Sequence, residues 1–261
     1  MSAANMPDPP AGGAPGKRAT VSLRPGLSFP NWAAVTSDTA RQALEAIVAV
    51  MGIETRWSDL GDAEDRVRRA VLDLYARLGH APTLSQLAGA TGLTTEEVRA
   101  QLGKLKTRDI VVLDDKGEAI VGAYPLSERE TGHRVHLGEH VLNAMCAIDA
   151  LGVGAMYQSD VGIESSCLRC GADIGVATRE KGSALETVSP ASTVVWSGIQ
   201  YEDKAATSLC TVLAFFCCDD HLQAWRAENP DAKGYRLSPD KGLQVGRAIF
   251  MNLLNPPSPG R

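Results

Sequence analysis

Cys146 and Asp149 stand three residues apart in Met145-Cys-Ala-Ile-Asp149, and another thiol, Cys210, follows far down the chain in Ser208-Leu-Cys-Thr-Val-Leu-Ala-Phe-Phe216. On a helix that spacing puts a thiol and a carboxyl on one face, as neighbours on successive turns. A soft ligand beside a proton carrier suits a thiophilic metal better than ordinary hydrolysis. Two thiols and a carboxyl can clasp a large soft cation while moving one proton.

Two further groups could bind metal: Cys167-Leu-Arg-Cys170-Gly171 and Cys217-Cys218-Asp-Asp-His221. All six cysteines fall between Cys146 and Cys218 in a long chain with no recognisable secretory signal, which points to metal or thiol chemistry rather than disulfides. The plain alternative, buried small hydrophobes, stays open for any one of them. Cys-x-x-Cys-Gly is half of a zinc knuckle, and Cys217, Cys218 and His221 could complete it. Against structural zinc stand the long stretch between the halves and the irregular form of the second, so it is not the favoured reading. A redox pair would need its first thiol at a helix N-terminus, whereas Gly171-Ala-Asp173 reads as a turn into a strand. A cysteine protease would need a histidine base near Cys146 or Cys210, and the apolar setting of both disfavours it.

Positioning these groups requires an ordered scaffold. Residues 1–36 carry Pro7, Pro9, Pro10, Pro15, Pro25 and Pro30 among many small residues and read as a flexible lead. From Ser37 the periodicity turns helical: one helix behind a Ser37 or Asp38 cap ending at Gly52, one over 63–78 before Gly79, a short one over 83–90, and one from Thr94 or Thr95 to Lys106 with Glu97 in a capping-box position. Strands over 109–113 and 118–124 flank a turn at 114–117. Helices followed by a hairpin predict a winged-helix-like domain over 37–126.

Residues 127–261 read as a mixed α/β catalytic domain with a largely antiparallel sheet. A buried helix over 138–151 carries Cys146, strands follow over 161–165, 173–178, 193–198 and 208–216, and helices begin at Asp219 and at Ser238-Pro239. The fold class expected is α+β.

Composition narrows the partners. A net charge of −5 provides no basic surplus, and Glu96 and Glu97 open the helix before the hairpin, so DNA binding is disfavoured despite Arg99, Lys104, Lys106 and Arg108. No apolar run is long enough for a membrane span, and the start of the chain does not resemble a secretory signal, so a cytoplasmic setting is expected.

Ala144-Met-Cys-Ala-Ile-Asp-Ala-Leu151 resembles the first active-site motif of the organomercurial (alkylmercury) lyases, an aromatic-Cys-Ala-Leu/Ile-Asp-x-Leu pattern. Asp115 to His133 is similar to that family's hairpin and Leu-Ser-x-x-x-Thr-x-His link, Ser165-Ser-Cys167 to its structural cysteine region, and Cys210 with Phe215, Phe216 and Trp225 to its second active-site cysteine. The resemblance implies that Cys146 and Cys210 bind mercury as thiolates and that Asp149 relays a proton to the departing carbon, releasing a hydrocarbon and Hg(II). It implies a structural Cys167, no bound organic cofactor, a need for excess low-molecular-weight thiol, and a mercuric reductase as acceptor of Hg(II) in mercury detoxification. Met145 departs from the family's aromatic residue, and Cys170, Cys217 and Cys218 are additional thiols. The alternative is a winged-helix metal sensor or mercury-binding protein without lyase activity.

Overall fold

Cap residues set the N-terminal helices. The computed structural model describes residues 20–24 and 26–254. Ser37 caps α1 (Asp38–Met51), with Gly52 in the left-handed region at its end. A short α2 (Ile53–Arg56) leads to α3 (Asp62–Leu78), which Gly79 stops. Thr83 with Gln86 and Thr94 with Glu97 form capping boxes for α4 (Leu84–Thr91) and α5 (Thr95–Thr107).

Before these helices the described residues include a strand pair. The expected flexible lead of residues 1–36 is corrected over its second part: β1 (Val21–Arg24) and β2 (Leu27–Phe29) pair antiparallel. Val21, Leu23, Leu27 and Phe29 are buried, and the Phe29 ring lies 5.0 Å from that of Trp57. These apolar side chains alternate with polar ones at a strand's period of two, which offsets the chain entropy that the Pro and Gly content suggested. Arg24 reaches Asp65 on α3 at 3.3 Å, and Asp65 also pairs with Arg68 at 2.6 Å and Arg69 at 2.9 Å. Residues 1–19 of the expected lead lie outside the described residues.

The hairpin after α5, β3 (Val111–Leu113) and β4 (Ile120–Ala123), is the end of an eight-stranded sheet and not a separate wing. That sheet continues through β5 (Leu126–Ser127), β6 (Arg134–Leu137), β7 (His140–Ala144), β8 (Gly162–Ser166), β9 (Asp173–Arg179) and β10 (Ala184–Ser189), in the order β10-β9-β8-β6-β7-β5-β4-β3. Because β4 pairs with β5 and β5 with β7, the pairing runs straight across residue 126, where the sequence placed a domain boundary. Arg108, counted among the cations available to DNA, turns inward to Glu64 at 2.9 Å and to the carbonyls of Arg56 and Ser58.

The helix expected over 138–151 is corrected as well. Its first part is the strand β7, and α6 (Ala147–Tyr157) begins only after Cys146. One apolar run spans both elements, and periodicity alone cannot divide such a run. A smaller sheet has the order β12-β11-β13, from β11 (Val194–Gly198), β12 (Leu213–Phe216) and β13 (Gly234–Leu237). Residues 209–212, expected as strand, are a 3-10 turn. Two helices complete the fold, α7 (Asp219–Glu228) and α8 (Pro239–Phe250), the latter capped by Ser238.

Every α6 residue from Ala147 to Met156 is buried, against β6 and β7 on one side and β12 and α8 on others. Glycines permit the α6–α8 crossing: a Cβ on Gly246 would lie 2.7 Å from the Ile148 carbonyl oxygen and 2.8 Å from the Gly152 nitrogen. The start of α6 is thereby held in the centre of the molecule. All of this is an α+β architecture with antiparallel sheets. Among the described residues, no helix is long and apolar enough to cross a membrane.

Candidate active site

The end of β7 delivers Cys146 to the N-terminus of α6. There it is the N-cap, in extended conformation, and its sulfur accepts the Asp149 backbone N–H at 3.4 Å. The Cys146 thiol is therefore tied to the Asp149 backbone through a cap, and the two side chains meet at the start of the helix and not on the mid-helix face that their spacing suggested. Cys210 arrives from the opposite side, on the 3-10 turn before β12, and its thiol donates to Asp149 Oδ2 at 3.7 Å. The sulfurs of Cys146 and Cys210 and a carboxylate oxygen of Asp149 all lie within 4.8 Å of one another, and all three residues are buried.

Burial sets the charge state of this trio. It raises the Asp149 carboxyl from 3.8 to about 7, against the opposing effect of hydrogen bonds from Cys146 and Cys210. Burial likewise lifts the Cys146 thiol well above its ordinary value, aided by hydrogen bonding to Cys210 and by the Asp149 charge. At Cys210 the hydrogen bond from Cys146 lowers the value, but burial and the charges of Asp149 and Asp109 outweigh it, and the thiol is raised. At neutral pH the trio thus holds two thiols and a carboxyl poised to gain or lose a proton.

Access is through Cys210. A cleft of about 300 Å³ is lined by Cys210, Thr211, Met145, His133, Thr131 and Leu168, among others. Cys146 lies at 0 % exposure, deeper than Cys210 at 8 %. A smaller apolar cavity of about 30 Å³ shares Cys210 and Leu213 with the cleft and is otherwise lined by Asp149, Ile148, Leu209 and Phe250, among others. His133 is a weak base: burial lowers it to about 4, and its Nδ1 is engaged with Ser165 Oγ at 2.8 Å. Thr131 donates to the Ala144 carbonyl and so fixes the chain just before Met145.

Sequence reasoning missed the residues that hold Cys210 in place. Asp109 Oδ2 accepts the Ala205 backbone N–H at 2.8 Å and the Tyr201 hydroxyl at 3.0 Å. The Tyr124 hydroxyl accepts the Ala206 N–H at 2.8 Å and donates to Asp109 Oδ1 at 3.3 Å. These bonds fasten the loop before Cys210 to the turn that precedes β3. Asp109 had read as an ordinary strand residue, because its partners lie far along the chain and no local pattern marks them.

The remaining candidate thiols form a second group. Sulfurs of Cys167, Cys170 and Cys217 and a ring nitrogen of His221 also lie within 4.8 Å of one another. Cys218 stays outside it as the N-cap of α7. Burial pushes the Cys167 thiol up, but backbone N–H groups of Cys217, Cys170 and Arg169 and the His221 ring together bring it down to about 6. Cys167 follows β8 and enters a turn into β9, so the helix N-terminus that a redox pair requires is absent there.

Residues 126–251 match the family model described as alkylmercury lyase. An alkylmercury lyase of Bacillus cereus is 26% identical over 208 residues, 79% of this chain and 90% of the relative. One of Staphylococcus epidermidis is 27% identical over 178 residues, 64% of this chain and 79% of the relative. Among solved structures, the mercury-bound form of MerB2 superposes with a TM-score of 0.66 at 27% identity, covering 84% of this chain and all of the other.

Proposed function

We propose, for a chain that belongs to the alkylmercury lyase family through its residues 126–251, that it cleaves carbon–mercury bonds by protonolysis, with Cys146, Cys210 and Asp149 as the catalytic residues. The observation that carries this reading is the buried trio itself: two sulfurs and one carboxylate close enough for a single large, soft ion to touch all three.

An organomercurial thiol adduct enters the cleft and meets Cys210, which is the thiol that lines it. Asp149 as carboxylate takes the Cys210 proton along the 3.7 Å contact, and the sulfur bonds to mercury. The displaced low-molecular-weight thiolate leaves and takes a proton from water. Cys146 then brings the second sulfur. Electron donation from two sulfurs makes the mercury-bound carbon more basic, and Asp149 delivers its proton to that carbon as the carbon–mercury bond breaks. The Cys146 proton passes to the emptied carboxylate and on to solvent, where it replaces the proton that the departing thiolate took. Overall two thiol protons are consumed, one to the hydrocarbon and one to the displaced thiol, and Hg(II) stays on the two cysteines. The balance needs no oxidant or reductant.

Burial serves each step. It keeps water from the developing carbanion and holds Asp149 near neutrality, where one group can both accept and donate. The apolar cavity beside Asp149 and Cys210 suits the departing organic group. In this reading release of Hg(II) draws on excess thiol in solution, which fits a cytoplasmic setting with a mercuric reductase as acceptor of the product. No organic cofactor enters the scheme.

The test is headspace measurement of benzene from phenylmercury in the presence of excess thiol. Wild type releases benzene, Cys146→Ser and Cys210→Ser do not, and Asp149→Asn slows release by roughly 10²–10⁴-fold, the usual contribution of a general acid. Release that persists in both cysteine variants would remove the reading.

A further inference from the structure

Cys167, Cys170, Cys217 and His221 take no part in the protonolysis, yet they converge as tightly as the active-site trio does. We propose that they form a structural zinc site that rivets the eight-stranded sheet to the three-stranded one beside the catalytic cleft.

Ligand geometry is the first argument. A tetrahedral Cys3His zinc with Zn–S of about 2.3 Å and Zn–N of about 2.0 Å requires sulfur–sulfur edges of about 3.8 Å and sulfur–nitrogen edges of about 3.5 Å. Cys170 and Cys217 sulfurs lie 3.8 Å apart, Cys167 Sγ is 3.7 Å from His221 Nδ1, and Cys217 Sγ is 3.0 Å from the same nitrogen. Two of these edges match a zinc tetrahedron within about 0.2 Å, the Cys217–His221 edge is about 0.5 Å shorter, and all the ligand atoms lie within 4.8 Å of one another. A disulfide is a different arrangement: its bond is about 2.05 Å, and all six cysteines are free thiols.

The backbone is shaped to match. Between Cys167 and Ala172 the chain folds into a tight knuckle, with Gly171 N–H donating to the Cys167 carbonyl at 2.8 Å and Cys167 N–H to the Ala172 carbonyl at 2.8 Å. Gly171 has φ +71°, which only glycine adopts without strain, so the Gly after the second cysteine is a requirement of the turn. Cys217 leaves the end of β12, and His221 follows it by one helical turn at the start of α7. The separation in sequence that argued against zinc is closed by the fold, since Leu168 N–H donates to the Phe215 carbonyl at 3.0 Å.

Three thiolates and a neutral imidazole with no open position are a structural donor set, not a catalytic one. The metal would join the end of β8 to the end of β12 and position Leu168, which lines the cleft with Cys210.

Metal analysis of the full chain, purified from cells grown without mercury, tests the proposal. Wild type contains about one zinc per chain, and Co(II) exchanged into the site shows the intense thiolate charge-transfer and d–d bands of tetrahedral coordination. Cys170→Ser and His221→Ala lower the zinc content roughly tenfold or more. Cys218→Ser, Cys146→Ser and Cys210→Ser retain it, which separates this site from the mercury site. His221→Cys, which keeps four soft donors, keeps the metal and guards against misreading a folding defect. Wild type that is metal-free as purified and gives no Co(II) bands would overturn the proposal, as would zinc that survives Cys170→Ser and His221→Ala. Neither measurement uses an organomercurial, so failure here leaves the lyase reading untouched.

Discussion

Replacing Asp149 by Asn is expected to stabilise the fold at neutral pH and to leave it unchanged in acid. In the native chain burial raises this carboxyl from 3.8 to about 7, and hydrogen bonds from Cys146 and Cys210 only partly oppose the shift. In the unfolded chain it titrates at its ordinary value, near 3.9. Below about pH 4 both states are protonated, and burial of the group carries no charge penalty. Between about pH 4 and pH 7 the native state holds a proton that the unfolded state has lost, so its stability falls as pH rises. Above about pH 7 the native state buries a carboxylate, and the penalty levels off. A proton affinity changed roughly a thousandfold corresponds to about 4 kcal/mol, an upper bound on the gain from Asn. The Asn amide faces the same sulfurs and recovers part of the lost hydrogen bonding, so a gain of about 2–3 kcal/mol is expected, set against a typical total of about 5–15 kcal/mol. Urea denaturation of both proteins under reducing conditions, from pH 4 to pH 8, measures it directly. A gain that is the same at every pH, or an Asn variant less stable than wild type at pH 8, would refute the assignment of Asp149 as a strained, buried acid.

Three further outcomes follow from the same geometry. Because Asp149 must be ionised to accept a thiol proton, the rate of mercury capture rises with pH and levels off above about 7; a rate flat from acid to neutral pH contradicts this. Gly246→Ala drives a Cβ to 2.7 Å from the Ile148 carbonyl, a backbone atom that cannot swing aside, so α8 must move off α6. The overpacking costs about 1–3 kcal/mol, offset by up to about 1 kcal/mol of helix propensity, and a thermal melt several degrees lower with reduced benzene release is expected. Tyr124→Phe strands the Ala206 N–H, at a cost of about 1–2 kcal/mol, and loosens the loop before Cys210. Mass-spectrometric alkylation then labels Cys210 faster relative to Cys146, and an unchanged ratio would show that the Asp109–Tyr124 network does not position that loop.

What the sequence showed depended on how local each signal was. Ser37, Thr83 and Thr94 cap helices through their own side chains, and Gly52 and Gly79 end them through their own φ values, so these boundaries were readable residue by residue. At Val141 to Tyr157 one apolar stretch crosses from β7 into α6, and the division depends on β5 and β6 pairing with β7, which periodicity does not report. The hairpin at 21–29 was hidden differently: its alternation of Val21, Leu23, Leu27 and Phe29 was present but was averaged into a Pro-rich composition. At the site, the spacing of Cys146 and Asp149 and the family motif around Cys210 singled out three residues that the fold brings within 4.8 Å of one another. Their joining depends on a 3-10 turn held by Asp109 and Tyr124 across the fold. The second thiol group was legible as two halves, which meet through contacts distant in sequence such as the Leu168–Phe215 hydrogen bond and the Arg169–Glu228 ion pair.

The most direct test of the central claim is a single turnover with phenylmercury and the chain in excess, in D₂O and without added thiol. The mechanism predicts one benzene per mercury carrying one ring deuterium, with the mercury retained on the protein and both Cys146 and Cys210 protected from alkylation. Mercury retained by the same cysteines with the phenyl group still attached would contradict it and leave a binding protein in place of a lyase.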